Sequence, residues 1–203
     1  MEESALFKLM AVLLLIVFVY YGMDVRRKTG ARDFVAAVWQ VLMKLCSFIL
    51  LAAFAWALAS AHEVSAGDWL SLVFFAIGTA FIAGAKRALG TVHTFAGQYQ
   101  RNPKLVTHGV YAMTRNPLYF GVFLCEFGAL LFMLHQTPAL LPQSYPYWLS
   151  TLALALIYAV VFNGNMAIRE ARYLEACFGT VYHQYQARVP FLVPSFSLRK
   201  EVE

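Results

Sequence analysis

Two stretches of the chain gather residue types that do chemistry at close spacing. Residues 104–121 read KLVTHGVYAMTRNPLYFG and bring His108, Tyr111, Arg115, Asn116 and Tyr119 together. Within them Gly109 permits backbone to approach a ligand closely, and Pro117 suits the first turn of a helix. The stretch reads as a structured loop entering a helix; an ordinary connector whose Arg115 anchors at a membrane interface fits the same residues about as well. Residues 168–194 read IREARYLEACFGTVYHQYQARVPFLVP, with Gly179 placed to cap a helix. Asn163, Ala167 and Glu170 share a helical face by i, i+4, i+7 spacing, which aims a carboxylate at one end of that helix. A solvated helix end with Tyr182 and Tyr185 among the headgroups is the competing reading. Cys46, Cys125 and Cys177 form no CxxC or His/Cys pattern, so neither a disulfide framework nor a metal site is expected.

The elements that must hold these stretches are membrane spans. The chain is 61% hydrophobic and 13% charged, with a mean hydropathy of +0.61, more apolar surface than a water-soluble fold of this size covers. Apolar runs at residues 5–23, 41–60, 69–85, 118–134 and 147–168 predict an all-α polytopic protein of about five transmembrane helices, the third and fourth short. The first run follows an acidic start and is read as a retained span. Lys8 and Lys44 lie near run ends, where their side chains snorkel to the headgroups.

Of the 16 Lys and Arg, 14 sit in the first loop (Arg26, Arg27, Lys28, Arg32), the third (Lys86, Arg87, Arg101, Lys104, Arg115) and the tail (Arg169, Arg172, Arg188, Arg199, Lys200). That places the N-terminus outside and the tail in the cytoplasm, with Trp69, Tyr145, Tyr147 and Trp148 in the outer aromatic belt. Basic loops explained in this way leave no reason to invoke nucleic acid, and Arg188 would meet an acidic headgroup or anionic lipid. Residues 1–85 are expected to form a three-helix N-terminal part and residues 86–203 the catalytic region. Glu126 falls mid-span in the fourth run; an acid bonded to a neighbouring helix is preferred to a functional polar contact. Gly121, Cys125 and Gly128 on the same run predict close helix packing.

Together the two stretches resemble the isoprenylcysteine carboxyl methyltransferase and phospholipid methyltransferase superfamily of integral membrane enzymes. Leu105, Val106, Thr107, Gly109, Tyr111, Arg115, Pro117, Tyr119 and Gly121 match its first block, LVTxGxYxxxRHPxYxG; Glu170, Phe178, Gly179, Tyr182, Tyr185, Val189 and Pro190 match its second. The resemblance covers residues 104–194. Asn116 replaces the usual histidine and Ala171 the usual second glutamate.

The resemblance implies S-adenosylmethionine, held on the cytoplasmic side by the loop before helix four and the C-terminal segment, and a lipophilic acceptor entering from the bilayer. Cofactor contacts would come from Leu105, Val106, His108, Gly109, Val110, Tyr111, Arg115, Asn116, Pro117, Tyr119 and Glu170, with His108 offering backbone at most. Arg115 would hold an acceptor carboxylate or phosphate, and Glu170 the cofactor or an amine proton. The acceptor would be an isoprenylcysteine carboxylate, a phospholipid amine or another membrane-dissolved molecule. The membrane would be the inner one in a bacterium and the endoplasmic reticulum in a eukaryote. Two rivals share the scaffold: an NADPH-dependent reductase of the sterol reductase type, and a noncatalytic membrane protein. No GxG turn is present for a Rossmann-type cofactor site.

Overall fold

We describe residues 2–23, 30–61, 63–90, 94, 97–140 and 144–195 of a computed structural model. Arg26, Arg27, Lys28, Arg199 and Lys200, counted above among the cations, lie outside the described residues. Five helices are long and apolar enough to cross a membrane: α1 (Glu2–Gly22), α2 (Ala37–Ser60), α3 (Ala66–Leu89), α4 (Pro117–Leu140) and α5 (Tyr145–Phe178). A short α6 (Thr180–Arg188) follows.

The third and fourth spans are not short. Each is a 24-residue helix, because an apolar run marks only the part that meets hydrocarbon, while the helix continues through polar residues whose side chains find partners. At the start of α3, Ser65 accepts from the Asp68 N–H while the Asp68 carboxylate accepts from the Ser65 N–H at 2.8 Å, a reciprocal cap. The same buried carboxylate meets His135 Nδ1 at 3.1 Å and accepts from Gln136 Nε2 at 3.2 Å. That carries the last turns of α4 past the apolar run. Lys8 donates to the Ala59 carbonyl at 3.2 Å, and Trp69 donates to Glu3 at 3.0 Å, so α1, α2, α3 and α4 are pinned at one end of the bundle.

The most extensive pairing is α3 with α4. Its cause is the small-residue stripe predicted from the sequence. A Cβ on Gly78 would sit 2.5 Å from the Gly121 carbonyl, one on Gly121 would sit 2.6 Å from the Gly78 carbonyl, and one on Gly128 would sit 2.6 Å from the Ser71 carbonyl. Backbone therefore lies on backbone along several turns, as tight packing in lipid requires. Cys125 fills the same seam, its thiol 3.7 Å from Thr79 Oγ1 and 3.6 Å from the Phe75 carbonyl.

At the opposite end an element escaped the sequence reading. Strands β1 (Ala31–Asp33) and β2 (Gln98–Gln100) pair antiparallel, with Arg32 opposite Tyr99. They are three residues each, too short to show alternation. Tyr173 of α5 clasps them by donating to the Gln100 carbonyl at 2.8 Å, with the Tyr99 ring tilted against those of Phe34 and Tyr173.

Gly121→Ala is expected to force α3 and α4 apart and lower stability by about 1–3 kcal/mol. Gly164→Ala, whose Cβ meets nothing within 4 Å, serves as the control that leaves the melting temperature in detergent unchanged or raised.

Candidate active site

The loop before α4 and the segment after α6 run side by side, held by side chains and amides reaching carbonyls. Pro190 and Pro194 keep the last segment from becoming helix, so its carbonyls need donors from elsewhere. Thr114 Oγ1 donates to the Leu192 carbonyl at 2.8 Å, and Asn116 Nδ2 to the Phe191 carbonyl at 2.8 Å. Arg115 donates its amide to the Pro190 carbonyl at 2.9 Å and Nε to the Val189 carbonyl at 3.0 Å, and its guanidinium lies 5.4 Å from the centroid of the Phe191 ring. With Nε committed in this way, Arg115 is a strut of the site as well as part of its wall.

Tyr182 and Tyr185 do not lie among headgroups. Both are buried with Val189, and Leu105, Ala171, Leu174 and Phe178 pack against them. This corrects the solvated-end reading: Gly179, at φ +52°, turns the chain between α5 and α6 so that the two rings fold back onto the loop. Tyr185 donates its hydroxyl to the Tyr111 carbonyl at 2.6 Å. Ala171 gains a physical account here, since its position packs against a tyrosine cluster. Burial, then the Glu170 carboxylate and the Tyr185 phenol, push the Tyr111 hydroxyl above its ordinary range, so it stays a neutral donor at physiological pH.

Beneath this roof is a cavity of about 130 Å³. Of the residues the resemblance named, Leu105, Val106, Tyr111, Arg115, Asn116, Pro117, Tyr119 and Glu170 line it; His108, Gly109 and Val110 do not. His108 and Gly109 are exposed at the start of a 3₁₀ turn (Gly109–Ala112), and Val110 packs toward Gly84 of α3. Tyr119 donates to Glu170 Oε1 at 2.9 Å, joining α4 to α5, and the Lys86 ammonium is an electrostatic neighbour of the same carboxylate. Tyr185, matched in the second block, lies on this wall too; sequence reasoning missed Thr94, Gln98, Tyr99, Gln100 and Tyr173 there. Only the i, i+3 spacing of Tyr173 from Glu170 offered a signal.

Gln98 carries a test of what the cavity accepts. Its Nε2 faces the Asp33 carboxylate at 3.3 Å, which fixes the amide, and its Oε1 is buried with no hydrogen-bond partner among the described residues. The wall thus holds an unpaired acceptor beside a carboxylate and tyrosine rings, a set of acceptors suited to a cationic, amino-bearing ligand such as S-adenosylmethionine.

Deeper between the helices lies a second cavity of about 120 Å³, walled by Met43, Leu50, Phe54, Phe75, Val122, Met133 and Leu152. It shares Thr94 and Leu118 with the first. Glu126 lines it, and its Oε2 has no partner among the described residues. The preferred expectation of an acid bonded to a neighbouring helix is therefore corrected for that oxygen.

The comparisons decide the family. A family model described as phospholipid methyltransferase matches residues 67–181, more than half of the chain. The chain belongs to the phospholipid methyltransferase family. It is also similar to a Protein-S-isoprenylcysteine O-methyltransferase of Schizosaccharomyces pombe, 30% identical over 135 residues that cover 66% of this chain and 50% of that one. The chain spans about half the length of this curated relative. The family match begins within α3, whereas the resemblance legible in the sequence began at residue 104. Family membership thus takes in the helix whose glycine seam seats α4.

Asn116→Leu is expected to leave the Phe191 carbonyl with only the longer bond from Thr114 Oγ1 at 3.4 Å and to cost about 1–3 kcal/mol. Asn116→His, which keeps a donor, should hold. Amide hydrogen exchange over residues 189–195 reads the difference as faster exchange in the leucine variant alone.

Proposed function

We propose that the protein is an S-adenosylmethionine-dependent methyltransferase acting on a lipophilic acceptor dissolved in the membrane. The observation that carries this reading is the meeting of two cavities of opposite character at Thr94 and Leu118. One opens among tyrosines, amides and a carboxylate at the end of the bundle, and the other lies among aliphatic and aromatic side chains between the spans. A polar methyl donor and an apolar acceptor reach a common boundary only in such an arrangement. Residues 86–203 form the catalytic region, and residues 1–85 contribute Met43, Leu50, Phe54 and Phe75 to the acceptor's walls.

S-adenosylmethionine, when bound, supplies a methyl group on a cationic sulfur open to in-line displacement. Leu105, Val106, Tyr111, Gln98 and Glu170 would hold it. Glu170, fixed by the Tyr119 hydroxyl, offers negative charge to the cofactor or accepts a proton from an amine acceptor. Arg115 presents positive charge to an acceptor carboxylate or phosphate while bracing the C-terminal segment. The rest of the rate is position and exclusion of water, since reacting atoms held about 3–3.5 Å apart need little covalent help. The names of the family and of the Schizosaccharomyces pombe relative support acceptors of two kinds, a phospholipid and a protein isoprenylcysteine.

Labelled S-adenosylmethionine incubated with the detergent-solubilised protein and total membrane lipid should bind and label an extractable lipid. Absence of binding would overturn the reading. Glu170→Ala should lower turnover about a hundredfold, the lower range for a positioned acid or base. We further propose that the loop end of α3, α4 and α5 faces the cytoplasm, as the basic loops indicate. Cys177 is exposed at that end while Cys46 and Cys125 are buried, so an impermeant maleimide should label intact cells only after permeabilisation.

A further inference from the structure

The second cavity is walled mostly by apolar residues; Ser47, Lys86 and Thr94 also line it, and Glu126 and Asn163 form a polar pair set deep in the membrane. Asn163 of α5 is 3% exposed and its Nδ2 has no hydrogen-bond partner among the described residues; the same holds for Glu126 Oε2 of α4. Both residues line the cavity. An orphaned amide donor in hydrocarbon costs about 1–3 kcal/mol, and an orphaned carboxyl oxygen no less. Neighbouring leucines and phenylalanines on the same walls show that apolar residues fit there. Two such atoms in one cavity, one from each of two helices, form a site that lacks its ligand's half of the hydrogen bonds.

Their register is informative. Glu126 follows Tyr119 by seven residues on α4, and Asn163 precedes Glu170 by seven on α5. Seven residues are two helical turns, about 10 Å. Tyr119 and Glu170 are hydrogen-bonded to each other at the first cavity, so Glu126 and Asn163 lie at matching depth below them, toward the bilayer centre.

We propose that Glu126 and Asn163 are specificity-determining residues for an acceptor that carries a second hydrogen-bonding group, a hydroxyl, amide or ester, about 10 Å down its apolar body from the methylated atom. This rests on the assignment of the deep cavity to the acceptor. A hydroxyl satisfies both atoms at once, accepting from Asn163 Nδ2 and donating to Glu126 Oε2. An ester or amide carbonyl accepts from Asn163 and from a protonated Glu126. A bare hydrocarbon tail satisfies neither, and would bury both atoms beside it.

The test compares octadecanoic acid with 10-hydroxyoctadecanoic acid, which share a head group and chain length and differ in a hydroxyl placed a comparable distance from the head. Affinities are measured on the full chain in nanodiscs by displacement of radiolabelled 10-hydroxyoctadecanoic acid, without methyl donor. The hydroxy acid is expected to bind about tenfold more tightly, the worth of one to two buried hydrogen bonds. Asn163→Leu and Glu126→Leu should each reduce that preference, and the double variant should abolish it, with S-adenosylmethionine binding unchanged. Because the two atoms have no protein partner among the described residues, both variants should melt no lower than the parent. Equal affinity for the two acids, or a preference that survives the double variant, would overturn the proposal. Loss of the methyltransferase reading would instead show as failure to bind S-adenosylmethionine, a separate measurement.

Discussion

Backbone meets backbone where α3 crosses α4, and the position of nearly every functional group follows from that contact. Gly78 and Gly121 bring each helix within van der Waals reach of the other's carbonyls. In lipid, where apolar side chains gain nothing by leaving solvent, such close approach is what holds helices together. With α4 seated against α3, Tyr119 is delivered to Glu170 on α5, Lys86 approaches that carboxylate, and Glu126 faces inward instead of toward acyl chains. A bulkier residue in the seam would displace all of these together.

The spans were legible because the bilayer imposes one rule on every residue within it. Nineteen or so apolar residues in a row have few folds available when each backbone group must find its partner internally. The ends were less legible because they obey local partners: His135 and Gln136 remain helical through the Asp68 carboxylate, sixty-odd residues away in sequence and adjacent only in space. The first site wall was readable in residues 104–121 through the family pattern they match, since an ordinary connector fits their residue types about as well. Gln98 and Thr94 were not, since a three-residue strand and an isolated threonine leave no periodic trace. Ala171 looked like a loss of chemistry in the sequence; its packing against Tyr182, Tyr185 and Val189 shows a side chain chosen for volume.

The site is built as a gradient of polarity. Its roof is a set of carbonyls met by Thr114, Arg115 and Asn116, its middle is the Tyr119–Glu170 bond, and its floor is hydrocarbon interrupted by Glu126 and Asn163. Glu126 and Asn163 lie deepest, where the bilayer would otherwise forbid them.

One further property comes from α5, which runs unbroken from Tyr145 to Phe178 before Gly179 turns it. Thirty-four residues at about 1.5 Å each make a rod of about 51 Å, against roughly 30 Å of hydrocarbon. Such a rod acts as a ruler. It fixes Glu170 at a set height relative to the membrane, so a thicker bilayer would sink the carboxylate toward the acyl chains and a thinner one would lift it into water. Under the proposed function, the lipid composition of the host membrane thereby sets how far an acceptor's head must rise to be reached.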